Sequence, residues 1–146
     1  EKILSYKPSK VLGIEISHSY RKSLKNKFEN QNVVILANDA KELKNIVSDS
    51  SVDKLLAVNV VYFLEPLESY VKEFHRIIKQ GGEGIIACKF NGVANFDDSV
   101  AVNKDIDFVT SSFEEGGFST SRIEVDLGND FSKYTAISIK KMTQLI

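Results

Sequence analysis

The chain has 146 residues, 42% hydrophobic and 27% charged, the range of a single soluble globular domain with enough apolar residues to bury a substantial core. Nineteen basic residues stand against twenty acidic ones, so a net charge of -1 provides no long-range attraction, and nothing in the composition points to nucleic acid or a membrane as partner. No apolar run approaches the roughly 18 residues of a membrane span, the single cysteine excludes an internal disulfide and no N-x-S/T signal occurs, so the expected compartment is reducing and cytoplasmic.

The opening Glu1-Lys2-Ile3-Leu4-Ser5 is neither a signal peptide nor an initiator methionine, and it reads as internal to a longer protein. Lys10-Val11-Leu12-Gly13-Ile14-Glu15-Ile16 is a continuous apolar run ending in a carboxylate, as expected of a strand covered on both faces. A helix follows, with Ser17 or Ser19 as cap, a packing stripe of Tyr20, Leu24 and Phe28, and a solvated basic face of Arg21, Lys22, Lys25 and Lys27. Asn30-Gln31-Asn32 ends it.

Residues 33–36 form the next apolar strand, Asn38-Asp39-Ala40 opens a predicted short helix over 41–47, and residues 48–51 are a polar turn. Residues 55–58 are a third strand. Pro66 suits the first turn of a helix whose inward stripe is Leu67, Tyr70, Val71, Phe74, Ile77 and Ile78, and Gly81-Gly82 is expected to stop it. Residues 84–88 are the fourth strand, with Cys88 as a small buried hydrophobe rather than a nucleophile. A helix is predicted over 106–115, broken by Gly116-Gly117. The alternation of Ile123, Val125 and Leu127, then of Ile137 and Ile139, with Gly128-Asn129-Asp130 between, predicts a terminal antiparallel hairpin.

Apolar strands alternating with amphipathic helices imply an α/β fold: a doubly wound, mostly parallel sheet with helices on both faces, here with the C-terminal hairpin. Residues 1–146 are read as one domain. In such sheets ligands bind beyond the carboxyl ends of the strands, where Glu15, Asp39 and Asn59 fall. Glu15 can accept hydrogen bonds from both hydroxyls of a ribose, or can simply be a solvated strand end or capping carboxylate. Asp39 can accept from an adenine amine, or be the N-cap of the helix starting at Ala40. Asn59 can reach the amino-acid end of a ligand, or satisfy backbone groups in its turn. His18 and His75 are too few and too far apart for a zinc site, and no metal is expected; His75, beside Arg76 on the amphipathic helix, reads as a surface residue.

Four segments together carry a resemblance: Val11-Leu12-Gly13-Ile14-Glu15-Ile16-Ser17, Asn38-Asp39-Ala40, residues 51–59 ending in Asn59, and Arg76-Ile77-Ile78-Lys79-Gln80-Gly81-Gly82-Glu83. In order and spacing they resemble class I S-adenosylmethionine-dependent methyltransferases of the type 11 group, over roughly residues 8 to 90, with Gln80 where proline is usual. The resemblance implies S-adenosylmethionine as cofactor, Glu15 as its ribose ligand, Ile16 as an apolar wall for the adenine, Asp39 as partner of the adenine amine, Ala40 as a backbone donor to the ring, and Asn59 near the methionine moiety. Asp53 would be structural. No catalytic side chain is implied, because methyl transfer rests on aligning an acceptor with the sulfonium methyl.

The family's first strand and glycine-rich loop should precede Lys10, yet the nine residues before it contain no glycine. In the family order 3-2-1-4-5-7-6 that strand is central, so two apolar edges face a gap: the chain is part of a longer protein, those edges pair directly, or another chain fills the space, and of these the N-terminally truncated reading is favoured. The expected function, for the complete protein, is methyl transfer to a small-molecule or protein acceptor, a small molecule being favoured, with the loop after the fourth strand (residues 90–98) near the acceptor. The alternative is a methyltransferase-like binding or scaffold module without cofactor chemistry. A nicotinamide-dependent sheet would also use a carboxylate such as Glu15, but Gln80-Gly81-Gly82 and the terminal hairpin fit methyltransferases better.

Overall fold

The computed structural model describes residues 2–126, 128 and 133–142. The chain divides into two compact units, Glu1–Leu43 and Lys44–Ile146.

The first unit is a β-α-β crossover. After a 3-10 turn at Lys2–Tyr6, strand β1 (Val11–Ile14) leads through helix α1 (His18–Lys27) to strand β2 (Val33–Leu36), and the two strands pair in parallel from Val11↔Val33 to Ile14↔Leu36. A parallel pair needs a crossover of this kind, and ten residues of helix provide it. The packing stripe of α1 differs from the expected one. Tyr20 is exposed, whereas Arg21, Leu24 and Phe28 are half-buried. The spacing of four chosen from the sequence assumed that the cation at position 21 would be solvated; its guanidinium instead turns onto backbone carbonyls at the end of β1.

No helix forms over 41–47, where turns replace it. Asp39 decides this locally: its Oδ1 accepts from the Lys41 amide at 3.2 Å while its carbonyl accepts from the Glu42 amide, which closes a tight turn instead of propagating a helix. Leu43 and Val47 are both buried, carried there by irregular backbone.

The second unit runs β3 (Val52–Val58), a 3-10 turn at Val61–Phe63, α2 (Leu67–Ile77), β4 (Ile78–Cys88), α3 (Phe90–Val93), α4 (Ile106–Glu115), β5 (Phe118–Asp126) and β6 (Lys133–Lys141). Its sheet has the order β3-β4-β6-β5, with β3 and β4 parallel and β6 antiparallel to both β4 and β5. This is the 4-5-7-6 half of the expected order, and β1-β2 reproduces the 2-3 pair, so the architecture is the α/β Rossmann-like fold with its C-terminal hairpin. Leu127, Asn129 and Asp130 of the expected hairpin turn lie outside the described residues. Among the described residues, and within their own sheets, β1 pairs only with β2 and β3 only with β4.

Helix α2 buries Leu67, Tyr70, Val71, Phe74 and Ile77, the expected stripe. It ends before the glycine pair, because Ile78 already belongs to β4 and is fully buried. Gly81-Gly82 therefore sits inside a strand, where the register shifts between Val52 and Lys54. Gly81 has φ 70°, and a Cβ on Gly82 would lie 2.7 Å from Ile78 Cγ2, so the pair forms the irregular stretch that brings the chain back into register. The core joins α2, α4 and the sheet through Val71, Val109, Phe113, Phe118, Ile86, Ile137 and Ile139. Helix α4 starts where predicted because the Asp105 carboxylate accepts from the amides of Asp107 and Phe108. Asp53 lies in β3 and accepts from Lys79 Nζ at 2.6 Å, a structural role as expected. Among the described residues no helix is long and apolar enough to cross a membrane.

Candidate functional site

The parallel pairing of β1 and β2 sends both strands out at the same end of their sheet. The Glu15 amide donates to the Leu36 carbonyl at 3.1 Å, so the ladder reaches the carboxylate-bearing residue itself. Glu15 and Ile16 thus leave one strand at the rim where residues 37–40 leave its neighbour. The structure brings four of the five sequence-derived positions, Glu15, Ile16, Asp39 and Ala40, to one edge of the first unit.

Their chemistry suits an adenosine. The Glu15 carboxylate is half-buried; its Oε1 accepts from the Ser17 amide at 2.7 Å, and Oε2 accepts from no described residue. A carboxylate tied to the backbone through one oxygen is oriented yet keeps acceptor capacity for two hydroxyls. Ile16 is 71% exposed, an apolar side chain projecting from the strand end, as a wall for a flat ring requires. Asp39 accepts from the Lys41 amide and has Lys41 Nζ at 3.7 Å from Oδ2, so its carboxylate is held within the turn that also carries Ala40. The alternative capping role of Asp39 is therefore realised in a turn, not a helix.

Arg21 is a residue that sequence reasoning missed. Its Nη1 donates to the Glu15 carbonyl at 3.0 Å and to the Ile16 carbonyl at 2.5 Å. The signal was available only in part: a cation six residues after Glu15, on the first turns of a helix, can reach back over the loop, but nothing in its type separates it from Lys22 or Lys25.

Asn59 belongs to the second unit and follows β3. Its amide donates to the Ala87 carbonyl at 2.8 Å and its φ of 54° is a left-handed conformation that asparagine tolerates better than most side chains. Its side chain does not satisfy the turn's backbone; Nδ2 donates to Tyr134 Oη at 3.2 Å. Lys89 Nζ lies 4.9 Å from the centroid of that tyrosine ring. Asn103 holds the 3-10 turn beside this rim, donating to the carbonyls of Val61 at 2.9 Å and Leu64 at 2.7 Å. Burial and the nearby Cys88 and Tyr134 push the Tyr62 phenol above its ordinary value, so it stays protonated. Cys88 is fully buried, and burial pushes its thiol up to about 11, as befits a packing residue. His75 is half-buried, with its ring edge-on to Phe118 at 5.4 Å, so it packs rather than lying on the surface as expected.

Residues 2–86 match the methyltransferase-domain family. The chain belongs to that family, the class I S-adenosylmethionine-dependent methyltransferases, whose cofactor is S-adenosylmethionine. Its fold is similar to a chain of the complex of the Haloferax volcanii Trm112 methyltransferase activator (TM-score 0.78, 12% identity, 97% of this chain and 77% of that one). It is also similar to YcgJ from Bacillus subtilis (TM-score 0.75, 13% identity, 96% and 86%). The N-methyltransferase NodS from Bradyrhizobium japonicum aligns with TM-score 0.72 at 11% identity, over 92% and 74% of the two chains. At such identities these likenesses speak to fold alone. No match was found among curated proteins.

Proposed function

We propose that this chain binds S-adenosylmethionine and serves methyl transfer to a small-molecule acceptor. The observation that supports this reading is the common exit of Glu15-Ile16 and Asp39-Ala40 from two parallel strands in a chain whose family uses that cofactor. When bound, S-adenosylmethionine supplies an electrophilic sulfonium methyl.

The chain's own residues bind and orient. Glu15 accepts from the ribose hydroxyls while the Ser17 amide fixes its rotamer. Ile16 covers one face of the adenine and removes it from water. Asp39 accepts from the exocyclic amine, and the Ala40 amide donates to the ring. Arg21 acts as a positioning residue by restraining the carbonyls of Glu15 and Ile16. Asn59 is assigned to the methionine portion by resemblance. None of these groups transfers a proton or forms a bond; their contribution is alignment, the main source of rate in a direct displacement.

Isothermal calorimetry with S-adenosylmethionine and S-adenosylhomocysteine tests the reading. Saturable binding with Kd of about micromolar order is expected, weakened at least about tenfold by Glu15→Gln. Absence of saturable heat with a folded chain would overturn it in favour of a binding or scaffold role.

A further inference from the structure

At the rim where β3 and β4 end, a cation and three hydrogen-bonding groups come from four separate segments. Asn59 follows β3, Tyr62 lies in the 3-10 turn, Lys89 follows β4, and Tyr134 is near the start of β6. Cys88 pairs with Thr135 across the antiparallel ladder, so Lys89 and Tyr134 stand next along the same pair of strands. The ammonium of Lys89 rests on the Tyr134 ring, and the hydroxyl of that ring accepts from Asn59, which leaves the phenolic proton to be donated elsewhere.

Lys89 is half-buried and has no carboxylate or phenolate partner among the described residues. By contrast, Lys54, Lys79 and Lys104 in the same unit each meet an acidic side chain within 2.8 Å. A partly desolvated ammonium that has an aromatic face but no counter-ion is arranged for an incoming anion, since a charge-assisted bond to an oxyanion is stronger than the cation-ring contact alone. The phenols of Tyr62 and Tyr134 add neutral donors at the same rim, with Tyr134 oriented by Asn59. Tyr62, held protonated, can only donate to an anion. Beside it in the same turn, Phe63 exposes an aromatic ring, with the Tyr62 and Phe63 centroids 4.2 Å apart.

We propose that this rim is a binding site for an aromatic carboxylate, with Lys89 pairing the carboxylate, the Tyr134 hydroxyl, oriented by Asn59, donating to it, and the Tyr62-Phe63 turn meeting the ring. This deepens the methyl-transfer reading by naming the acceptor's class, and it rests on that reading only for calling the ligand an acceptor.

Benzoate, titrated into the 146-residue chain without cofactor and followed by amide and lysine side-chain NMR, is the test. Saturable shifts are expected at Asn59, Lys89 and Tyr134. Benzamide, of the same shape but neutral, is expected to bind at least about tenfold more weakly; Lys89→Gln is expected to lower benzoate affinity at least about tenfold and Lys89→Arg to retain most of it. No saturable shift at these residues, equal affinity for benzamide, or an unchanged response in Lys89→Gln with Lys89→Arg alike would overturn the proposal. The cofactor assignment fails separately: loss of S-adenosylmethionine binding with the benzoate response intact counts against Glu15 and Asp39, and the reverse counts against this rim.

Discussion

The Arg21 guanidinium donates to the carbonyl oxygens of Glu15 and Ile16, so a side chain on the first turns of α1 fixes the loop that presents the candidate ribose ligand. The carboxylate of Glu15 is in turn fixed by the Ser17 amide, one residue ahead of the helix. Loop and helix therefore form one closed set of hydrogen bonds. Removing Arg21 frees two carbonyls without touching any group assigned to the cofactor. Arg21→Ala is expected to weaken S-adenosylhomocysteine binding about tenfold, the equivalent of about 1.4 kcal/mol, with Arg21→Lys recovering part of the loss. Calorimetry reads the affinity and circular dichroism checks that helix content is unchanged; full affinity in Arg21→Ala would refute the positioning role.

Lys141 is buried, and its ammonium donates to the carbonyls of His75 at 2.6 Å and Ile78 at 2.9 Å, where α2 gives way to β4. It supplies donors at a helix end that would otherwise leave buried acceptors unmet. Lys141→Met is expected to cost about 2–3 kcal/mol of stability, since hydrogen bonds to a charged group are lost and two carbonyls stay buried. Urea unfolding at neutral pH measures this, and a change below about 0.5 kcal/mol would contradict it.

The same lysine bears on pH dependence. Burial first, and the Lys141 charge second, lower the His75 pKa below its ordinary value of 6.5. The unfolded chain then binds more protons than the folded one between the folded value and 6.5, so the stabilising contribution is complete above 6.5 and is lost as pH falls through the folded value. Lys141→Met is expected to move the His75 titration upward, and His75→Gln to flatten the acid side of the stability profile. NMR titration of the His75 ring resonances and unfolding curves across that range provide the check.

Much of this was legible in the sequence where one physical signal dominated. Helix α4, over 106–115 and broken by Gly116-Gly117, is read from the sequence with the bounds it has, though its Asp105 cap is not. The hairpin showed its alternation, and β1-α1-β2 its apolar runs and crossover. Reading failed where side chains compete with the backbone, as at Asp39, and where a glycine pair could equally end a helix or interrupt a strand, as at Gly81-Gly82. At the candidate site, Glu15, Asp39 and Asn59 are read from strand ends, and Ile16 and Ala40 from the family resemblance alone. Lys89 and Tyr134 are not, because 45 residues separate them and only the antiparallel register of β4 and β6 brings them together. Arg21 was hidden among lysines of the same charge.

The polar turn before β3 is held to the end of α2 by Arg76, which donates to Glu73 Oε1 and Oε2, to Asp49 Oδ1 and to the Val47 carbonyl. The side chains of Arg76 and Glu73 are 18% and 11% exposed, so this network is largely shielded from solvent while its Asp49 arm is open. Arg76→Met is expected to destabilise by about 2–3 kcal/mol and Asp49→Asn by no more than about 0.5 kcal/mol. Chemical denaturation of both variants decides it; equal effects would mean that the exposed arm contributes as much as the shielded one.

Cys88 ends β4 fully buried, and the burial that raises its thiol to about 11 also denies a reagent access. At pH 8 the thiol is thus almost wholly protonated in the folded chain, and the thiolate is the reacting form. Modification by a disulfide reagent must wait for the β4-β6 ladder to open, since Cys88 pairs with Thr135 at its end. Labelling of the native chain is expected to be at least about a thousandfold slower than in denaturant, and to accelerate in Lys141→Met in proportion to its lost stability. A native rate within about tenfold of the denatured one would place the thiol at an opening far below the global unfolding free energy, and would remove Cys88 from the core.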